Sequence, residues 1–457
     1  MKLFYLVAGA AVLAGGLGGC GGGGGGGGGG AVFPIFPATP VAPVSLGVTV
    51  TVNGNAVDAN GSGQYAAKPG DTVTIVPNLG SDWSSNSSPA GSVSLRKTDI
   101  SSLKWSAQLA NETTAASVFT VTAKASANSA QVKDIVFNVS AGDARNGQYK
   151  VFATNGTRQT LALNFDTMSY EMTDETGNTV SDTFGSDLSE AGTYLFKSSR
   201  NTATAINTRF RLATDTVVGS FPFQVAKVPG TYAVQPFVAS RALVTAQPAL
   251  DGIYTRLGIN LQAATRDSNI RQVQVASGGT VVYMCNEAAI TSIAACPPAS
   301  LLTYNVTAGS ASDAWNIANV NDPLDAGAFY IARVAGKNVY LSAGTNPKPP
   351  NDSVFRIGLA ESATWPVSKT SGGDTSGAWG TLDFDATTYS SVLARSDATA
   401  SGFTANLSSP SATISNLRLF TGPSSEFYFG TQDGTLSVVV GARSGPVAGY
   451  MQIGLVR

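Results

Sequence analysis

From residue 46 onward, apolar and polar side chains alternate in short runs bounded by Gly, Asn, Asp and Ser. Residues 47–53 (GVTVTVN), 72–76 (TVTIV), 117–123 (SVFTVTA) and 132–139 (VKDIVFNV) place every second side chain on one face. That is the two-residue period of half-buried strands. Asn53-Gly54, Asn60-Gly61 and Pro69-Gly70-Asp71 supply turn chemistry between such runs. No stretch of 12 or more residues in this part holds a 3.6-residue apolar period, and only Asp313–Val320 is predicted as one or two helical turns. The prediction is an all-β protein.

The pattern also repeats. Leu163, Phe165, Asp166, Tyr170, Phe184, Leu188 and Ser189 recur without a gap 219 residues later, as Leu382, Phe384, Asp385, Tyr389, Phe403, Leu407 and Ser408. A second match joins 329–343 (FYIARVAGKNVYLSA) to 427–441 (FYFGTQDGTLSVVVG), and 210–223 (FRLATDTVVGSFPF) is a looser echo. Repeated units are predicted near 143–225, 250–345 and 372–442, each an antiparallel sheet or part of a barrel. In L-x-F-D-x-x-x-Y, strand parity puts Leu and Phe on the core face and Asp on the other.

The N-terminus is of another kind. Lys2 precedes an apolar stretch at 3–14 (LFYLVAGAAVLA), then Leu17-Gly18-Gly19-Cys20, ten consecutive glycines at 21–30 and AVFPIFPATPVAPVS at 31–45. The apolar stretch is short against the about 20 residues of a transmembrane helix. Polyglycine followed by spaced prolines reads as a flexible, then stiffer, tether. The first twenty residues resemble a bacterial lipoprotein signal peptide with its lipobox. That resemblance implies cleavage before Cys20, diacylation of its thiol and acylation of its new amine, hence a membrane anchor through acyl chains such as palmitate. Gly21, where a retention signal would have Asp, implies the bacterial outer membrane, with the periplasmic or surface-exposed face left open. KPGDTVTI at 68–75 resembles bacterial immunoglobulin-like modules, which implies a spacer or stalk over about 46–140 with Trp105 as core aromatic. GTLDFDATTYSSVL at 380–393 resembles barrel strands of surface lipoproteins that bind host or serum proteins.

The expected organisation is therefore a signal peptide at 1–19, a lipidated Cys and Gly/Pro-rich tether at 20–45 and an Ig-like β-sandwich at 46–140. Internally repeated antiparallel β-sheet or barrel modules follow at 141–245, 246–365 and 366–457. Cys285 and Cys296 are the only cysteines after Cys20, and an exported compartment predicts one structural disulfide between them, stapling the NEAAITSIAA connection.

Composition narrows the chemistry. The 457-residue chain has no His, which removes Ser-His and Cys-His nucleophiles and His-ligated metals. Its 28 Lys+Arg against 29 Asp+Glu, without a basic block, argue against a nucleic-acid partner. Of the seven Glu, at 112, 171, 175, 190, 287, 361 and 426, Glu171 and Glu175 beside Asp174 read as a solvated hairpin end. A carboxylate-based polysaccharide hydrolase or lyase would need a cleft with two carboxylates and a nearby sugar-stacking Trp; Trp315, Trp365 and Trp379 are the candidates, although they read first as core or rim anchors. Asp383 and Asp385, with counterparts Asn164 and Asp166, share a strand face but supply too few oxygens for Ca²⁺. No catalytic, cofactor or metal residues are assigned. The expectation is a lipid-anchored envelope protein, not an enzyme, that binds a protein or polysaccharide surface ligand. The alternative is a structural envelope protein that assembles with itself or a partner through bare strand edges.

Overall fold

The computed structural model describes residues 44–457 apart from 198–199, 201–207, 226–227, 229, 263–264, 350, 395–398 and 412. The leader, Cys20 and all of the tether before residue 44 lie outside the described residues. The rest is β-structure throughout, in two open sheets followed by three eight-stranded modules.

The first nine strands are β1 (Val48–Val52), β2 (Asn55–Ala56), β3 (Gln64–Ala67), β4 (Thr72–Pro77), β5 (Ser81–Ser88), β6 (Val93–Ser101), β7 (Lys104–Asn111), β8 (Ser117–Ala125) and β9 (Val132–Val139). They form sheets ordered β2-β1-β4-β7-β6 and β3-β9-β8-β5, antiparallel except for β3 beside β9. Alternate residues of both sheets share one core, with Val73, Ile75, Trp105, Phe119, Val121 and Phe137 buried. Two devices blunt the edges against pairing. β6 is bulged between Arg96 and Asp99, and β5 reads SDWSSNSS. Gly70 meets the next module closely: a Cβ there would lie 2.7 Å from the Asp166 carbonyl oxygen, and its φ of +88° itself favours glycine.

The first barrel comprises β10 (Gly147–Ala153), β11 (Arg158–Asn164), β12 (Ser169–Asp174), β13 (Thr179–Ser186), β14 (Thr193–Phe196), β15 (Arg209–Ala213), β16 (Thr216–Gln224) and β17 (Tyr232–Ser240). The second comprises β18 (Gly252–Leu261), β19 (Arg266–Ala276), β20 (Val281–Cys285), β21 (Leu301–Ala308), β22 (Trp315–Asn319), β23 (Asp322–Val334), β24 (Lys337–Thr345) and β25 (Ser353–Ala360). In both, each strand pairs with the next and the eighth pairs back on the first, closing the sheet. The third module comprises β26 (Ser368–Asp374), β27 (Trp379–Phe384), β28 (Thr388–Ala394), β29 (Ala400–Asn406), β30 (Arg418–Thr421), β31 (Phe427–Gln432), β32 (Leu436–Gly441) and β33 (Met451–Val456). Its circular order is the same, but the fourth and fifth strands, β29 and β30, share no ladder; only Ser408, just after β29, bridges to Leu419 of β30.

The sequence repeats map onto this order. The longer match falls on strands two to four of the first and third modules (β11–β13 and β27–β29). The shorter one and its echo fall on strands six and seven of all three (β15–β16, β23–β24 and β31–β32). The repeated unit extends one strand beyond the ends predicted at 225, 345 and 442, because the eighth strand (β17, β25 or β33) pairs back on the first.

Strands seven and eight of the modules, with β18, are largely buried on both faces. Their outward residues, including Val218 and Val238, Leu257 and Ile357, and Val438 and Ile453, bury one another in a core common to the three modules. The inward residues line the lumens. The expected helical turn at 313–320 is a correction: Trp315–Asn319 is strand β22, with Trp315, Ile317 and Asn319 buried and Asn316 and Ala318 exposed, a two-residue period.

Cys285 and Cys296 form a disulfide, with Cα atoms 5.7 Å apart, across the connection from β20 to β21. A loop this short adds roughly 3 kcal/mol by restricting the unfolded chain.

Candidate functional site

An eight-stranded barrel has an interior just wide enough to be filled by side chains or to hold one small ligand. The three modules divide between those outcomes. Among the described residues, nine buried aromatics fill the first lumen; the Phe210 ring centroid lies 4.5 Å from Phe196 and 5.3 Å from Phe184. The second and third lumens hold cavities of about 300 and 370 Å³. In an antiparallel meander the hairpins between strands one–two, three–four, five–six and seven–eight share one end. Both cavities lie at that end, against residues such as Asn286 and Asn346 in the second module and Asp374 and Glu426 in the third.

The second cavity is cationic. Strand parity on β18, β19 and β25 turns Arg256, Arg271 and Arg356 inward, while Leu257, Ile270 and Ile357 join the outer core. The one carboxylate among the lining residues is Asp325. It already accepts from the Tyr304 hydroxyl at 2.6 Å and the Asn319 amide at 3.0 Å. The three guanidinium groups donate to neutral oxygens: Arg256 to Asn269 Oδ1 at 3.1 Å, Arg271 to the Cys285 carbonyl at 2.6 Å and Asn286 Oδ1 at 3.1 Å, and Arg356 to the Ile259 and Phe355 carbonyls and Asn260 Oδ1. Arg256 is 7% exposed, and its buried Nε has no partner. Burial first and the neighbouring Arg256 second push Arg356 down to about 9, still protonated at neutral pH. The same two causes lower Arg271. Gly258 leaves room for this crowding, since a Cβ there would lie 2.3 Å from Arg356 Cδ. The disulfide sits at the rim, because Arg271 bonds the carbonyl of Cys285 itself.

The third cavity is aromatic and acidic. Tyr389, Phe403, Phe420, Tyr428 and Tyr450 line it with Asp374 and Glu426, and no Lys or Arg is among its lining residues. Asp374 is 2% exposed. Its Oδ1 caps the β26–β27 turn, accepting from Ser376 N at 2.8 Å, Ser376 Oγ at 2.6 Å and Ala378 N at 2.9 Å. Burial nonetheless raises its pKa. Tyr450, which also bonds Asp374, is pushed well above the usual phenol value by burial and then by that carboxylate. Glu426 Oε1 accepts from the Tyr428 hydroxyl at 3.2 Å, while its buried Oε2 has no partner.

The candidates read from the sequence fall elsewhere. Trp315 is buried in the second barrel and donates to the Val244 carbonyl at 3.2 Å. Trp379 is buried and donates to Glu190 Oε2 at 3.0 Å. Trp365 packs edge-on against Phe384, donates to the Asp385 carbonyl at 2.8 Å and carries Arg418 4.3 Å above its ring. None of them lines either cavity, and each is held by the contacts just named, as core or rim anchors are. Asp383 pairs with Arg457 at 2.6 Å, and Asp385 caps Thr387 and Thr388. Asp166 accepts from Asn146 and the Asp143 backbone, tying the chain entering β10 to the turn after β11. Glu175 pairs with Arg158 at 2.7 Å, Asp174 caps its own turn, and Glu171 is exposed. Among the described residues no group of three His, Cys, Asp or Glu side chains is arranged to hold a metal.

Sequence reasoning missed Arg256, Arg271, Arg356 and Asp374. The available signal was a charge at an inward position of an apolar strand, as in GIYTRLGINL of β18.

No protein-family model matches the chain, and no curated protein does. Among solved structures, a crystal structure of a quinonprotein alcohol dehydrogenase-like protein from Bacteroides thetaiotaomicron aligns over 86% of this chain and 96% of its own, at 10% identity and a TM-score of 0.14. A likeness this low carries no argument about the present chain.

Proposed function

We propose that this chain is a lipid-anchored protein of the bacterial outer membrane, held through acylated Cys20, whose barrel modules form a binding head for an anionic surface ligand. The supporting observation is the second lumen, where three guanidinium groups face a cavity and donate only to neutral oxygens. Enclosed guanidinium groups without an ionic partner are costly, and a carboxylate or phosphate supplies the paired, bidentate acceptor they lack. A cavity of about 300 Å³ takes one such group with part of its carrier, as a uronic-acid unit of a polysaccharide would present it.

The test is thermal unfolding of the full chain with inorganic phosphate and with glucuronate. Both should raise the melting temperature. Arg256→Met should weaken the apparent affinity by about tenfold or more, the scale of one charge-assisted bidentate contact, and should leave the ligand-free protein at least as stable, because a buried cation is removed. Neither anion shifting the wild type, or an equal shift in the variant, would sink the reading. Labelling with an alkyne palmitate analogue, lost in Cys20→Ser, checks the anchor.

Assembly through bare edges is the second reading, favoured by the unpaired β29 and β30. It requires concentration-dependent oligomers in sedimentation velocity.

A further inference from the structure

The third module's cavity is separate from the arginine-lined lumen and has the opposite character. From its geometry we infer that it is a binding site for an organic ammonium cation, of the size of choline or an amino sugar. Three observations carry this. First, the wall is aromatic: Tyr389 and Phe420 stack with centroids 4.3 Å apart, Phe420 and Tyr428 at 5.6 Å, and Tyr450 stands edge-on to Tyr428 at 5.6 Å. Ring faces attract a cation that has left water, and a group of them is the usual receptacle for an alkylated ammonium. Second, the charges are of one sign. Asp374 and Glu426 line the cavity with no Lys or Arg beside them.

Third, polar atoms are left over. Glu426 Oε2 is buried without a partner, and so is Nε2 of Gln452, a residue that is fully enclosed. Gln452 lies behind the cavity wall, its Oε1 accepting from the hydroxyls of Tyr389 at 3.1 Å and Tyr450 at 3.4 Å, both of which line the cavity. A buried carboxylate oxygen without a donor and a buried amide N–H without an acceptor are each costly. An ammonium in the cavity supplies the positive charge that the unpartnered oxygen of Glu426, a lining residue, lacks. Choline, ethanolamine and glucosamine all carry such a charge, and about 370 Å³ admits each of them.

The position in the fold supports the assignment. The equivalent lumen of the first barrel is packed with Phe184, Phe196, Phe210 and Phe221. The third module pairs neither β29 with β30 nor fills its upper end, and the exposed Ser401 and Gly402 of β29 lie on the cavity wall at that unpaired edge. A small ligand reaches the rings from that side.

Isothermal titration of the full chain tests this with two matched pairs: choline against its neutral isostere 3,3-dimethylbutan-1-ol, and glucosamine against glucose. At least one cation should bind saturably, about tenfold or more tighter than its neutral counterpart. Glu426→Gln, on a half-buried turn, should cancel that preference while leaving the phosphate response of the second barrel intact; this separates a failure here from a failure of the anionic reading. Ser401→Trp, at the exposed edge, should block the cation with the melting temperature unchanged. Cation preference within the choline pair assigns a methylated ammonium, and within the glucosamine pair an amino sugar. Equal binding of charged and neutral partners, no saturable binding of either cation up to about 50 mM, or full cation affinity in Glu426→Gln would overturn the inference.

Discussion

The first and second barrels close with the same strand order and the same eight-strand count, yet one lumen is a core and the other a cavity. In the first, inward positions are aromatic, and Phe210 touches a ring on several neighbouring strands. In the second, apolar inward residues such as Val273, Val282, Phe329 and Tyr254 gather toward one end, and arginines occupy the other. An eight-stranded wall leaves no third choice, because its interior is either packed or available. What differs is a handful of inward side chains. The outward faces of strands seven and eight are committed to the shared core, and both cavities lie in the lumens. The third module extends the contrast by opening the seam and reversing the sign of the charge.

The sharpest way to break the comparison is to hollow out the filled barrel. Phe210→Ala removes a fully buried ring that touches four others, and should cost about 3–5 kcal/mol in chemical denaturation. Should the first lumen tolerate it at under about 1 kcal/mol, the distinction between a filled and an available barrel fails.

Next in size is the disulfide. Cys285→Ser with Cys296→Ser should cost roughly 3 kcal/mol by the loop-closure argument. It should also weaken phosphate binding, because Arg271 is oriented by the Cys285 carbonyl and by Asn286 in the same connection. Loss of stability with unchanged phosphate affinity would show that the bridge serves the fold and not the arginine site.

The all-β class was legible because half-buried strands announce themselves by parity, and β1, β4, β8 and β9 lie on the runs that alternate most cleanly. The repeat was legible for a related reason: Leu163/Leu382 and Phe165/Phe384 are buried at the same points of equivalent hairpins. The lumen chemistry was harder to see. Parity separates two faces of a strand but does not say which is lumen and which is inter-module core, and in β18 both faces are buried, so Arg256 reads as a stray charge. Asp374 sits in SGGDTSGA, which has the composition of any turn. Its burial comes from Tyr450 and from strands far along the chain. The tryptophans were legible only as a class: large apolar rings suit a core or rim anchor first and a sugar platform second, and the sequence does not say which faces the solvent.

The smallest effect is the most discriminating, because it compares one motif in two settings. Asp174 and Asp374 cap their hairpins with the same bonds, each Oδ1 accepting from the backbone and hydroxyl of the residue two ahead and from the backbone four ahead. Their pKa shifts are opposite. At Asp374 burial dominates and raises it. At Asp174 burial is the largest single influence, but the bonds from Thr176 and Asn178 together outweigh it and lower the value. The linkage follows. Folded Asp374 holds its proton to higher pH than the unfolded chain, so wild-type stability falls as pH rises from the ordinary carboxylate value up to the raised one. Asp374→Asn keeps the accepting oxygen and removes the titration, so it should gain on the wild type across that window. Asp174 contributes stability above the ordinary value that is lost as pH falls through its lowered one. Asp174→Asn should therefore lose to the wild type at neutral pH, by under about 1 kcal/mol at so solvated a site, and match it in acid. Denaturation of both variants and the wild type from acid to neutral pH reads the two signs directly. Two profiles of the same sign would mean that the turn, rather than the lumen, sets the charge state of Asp374.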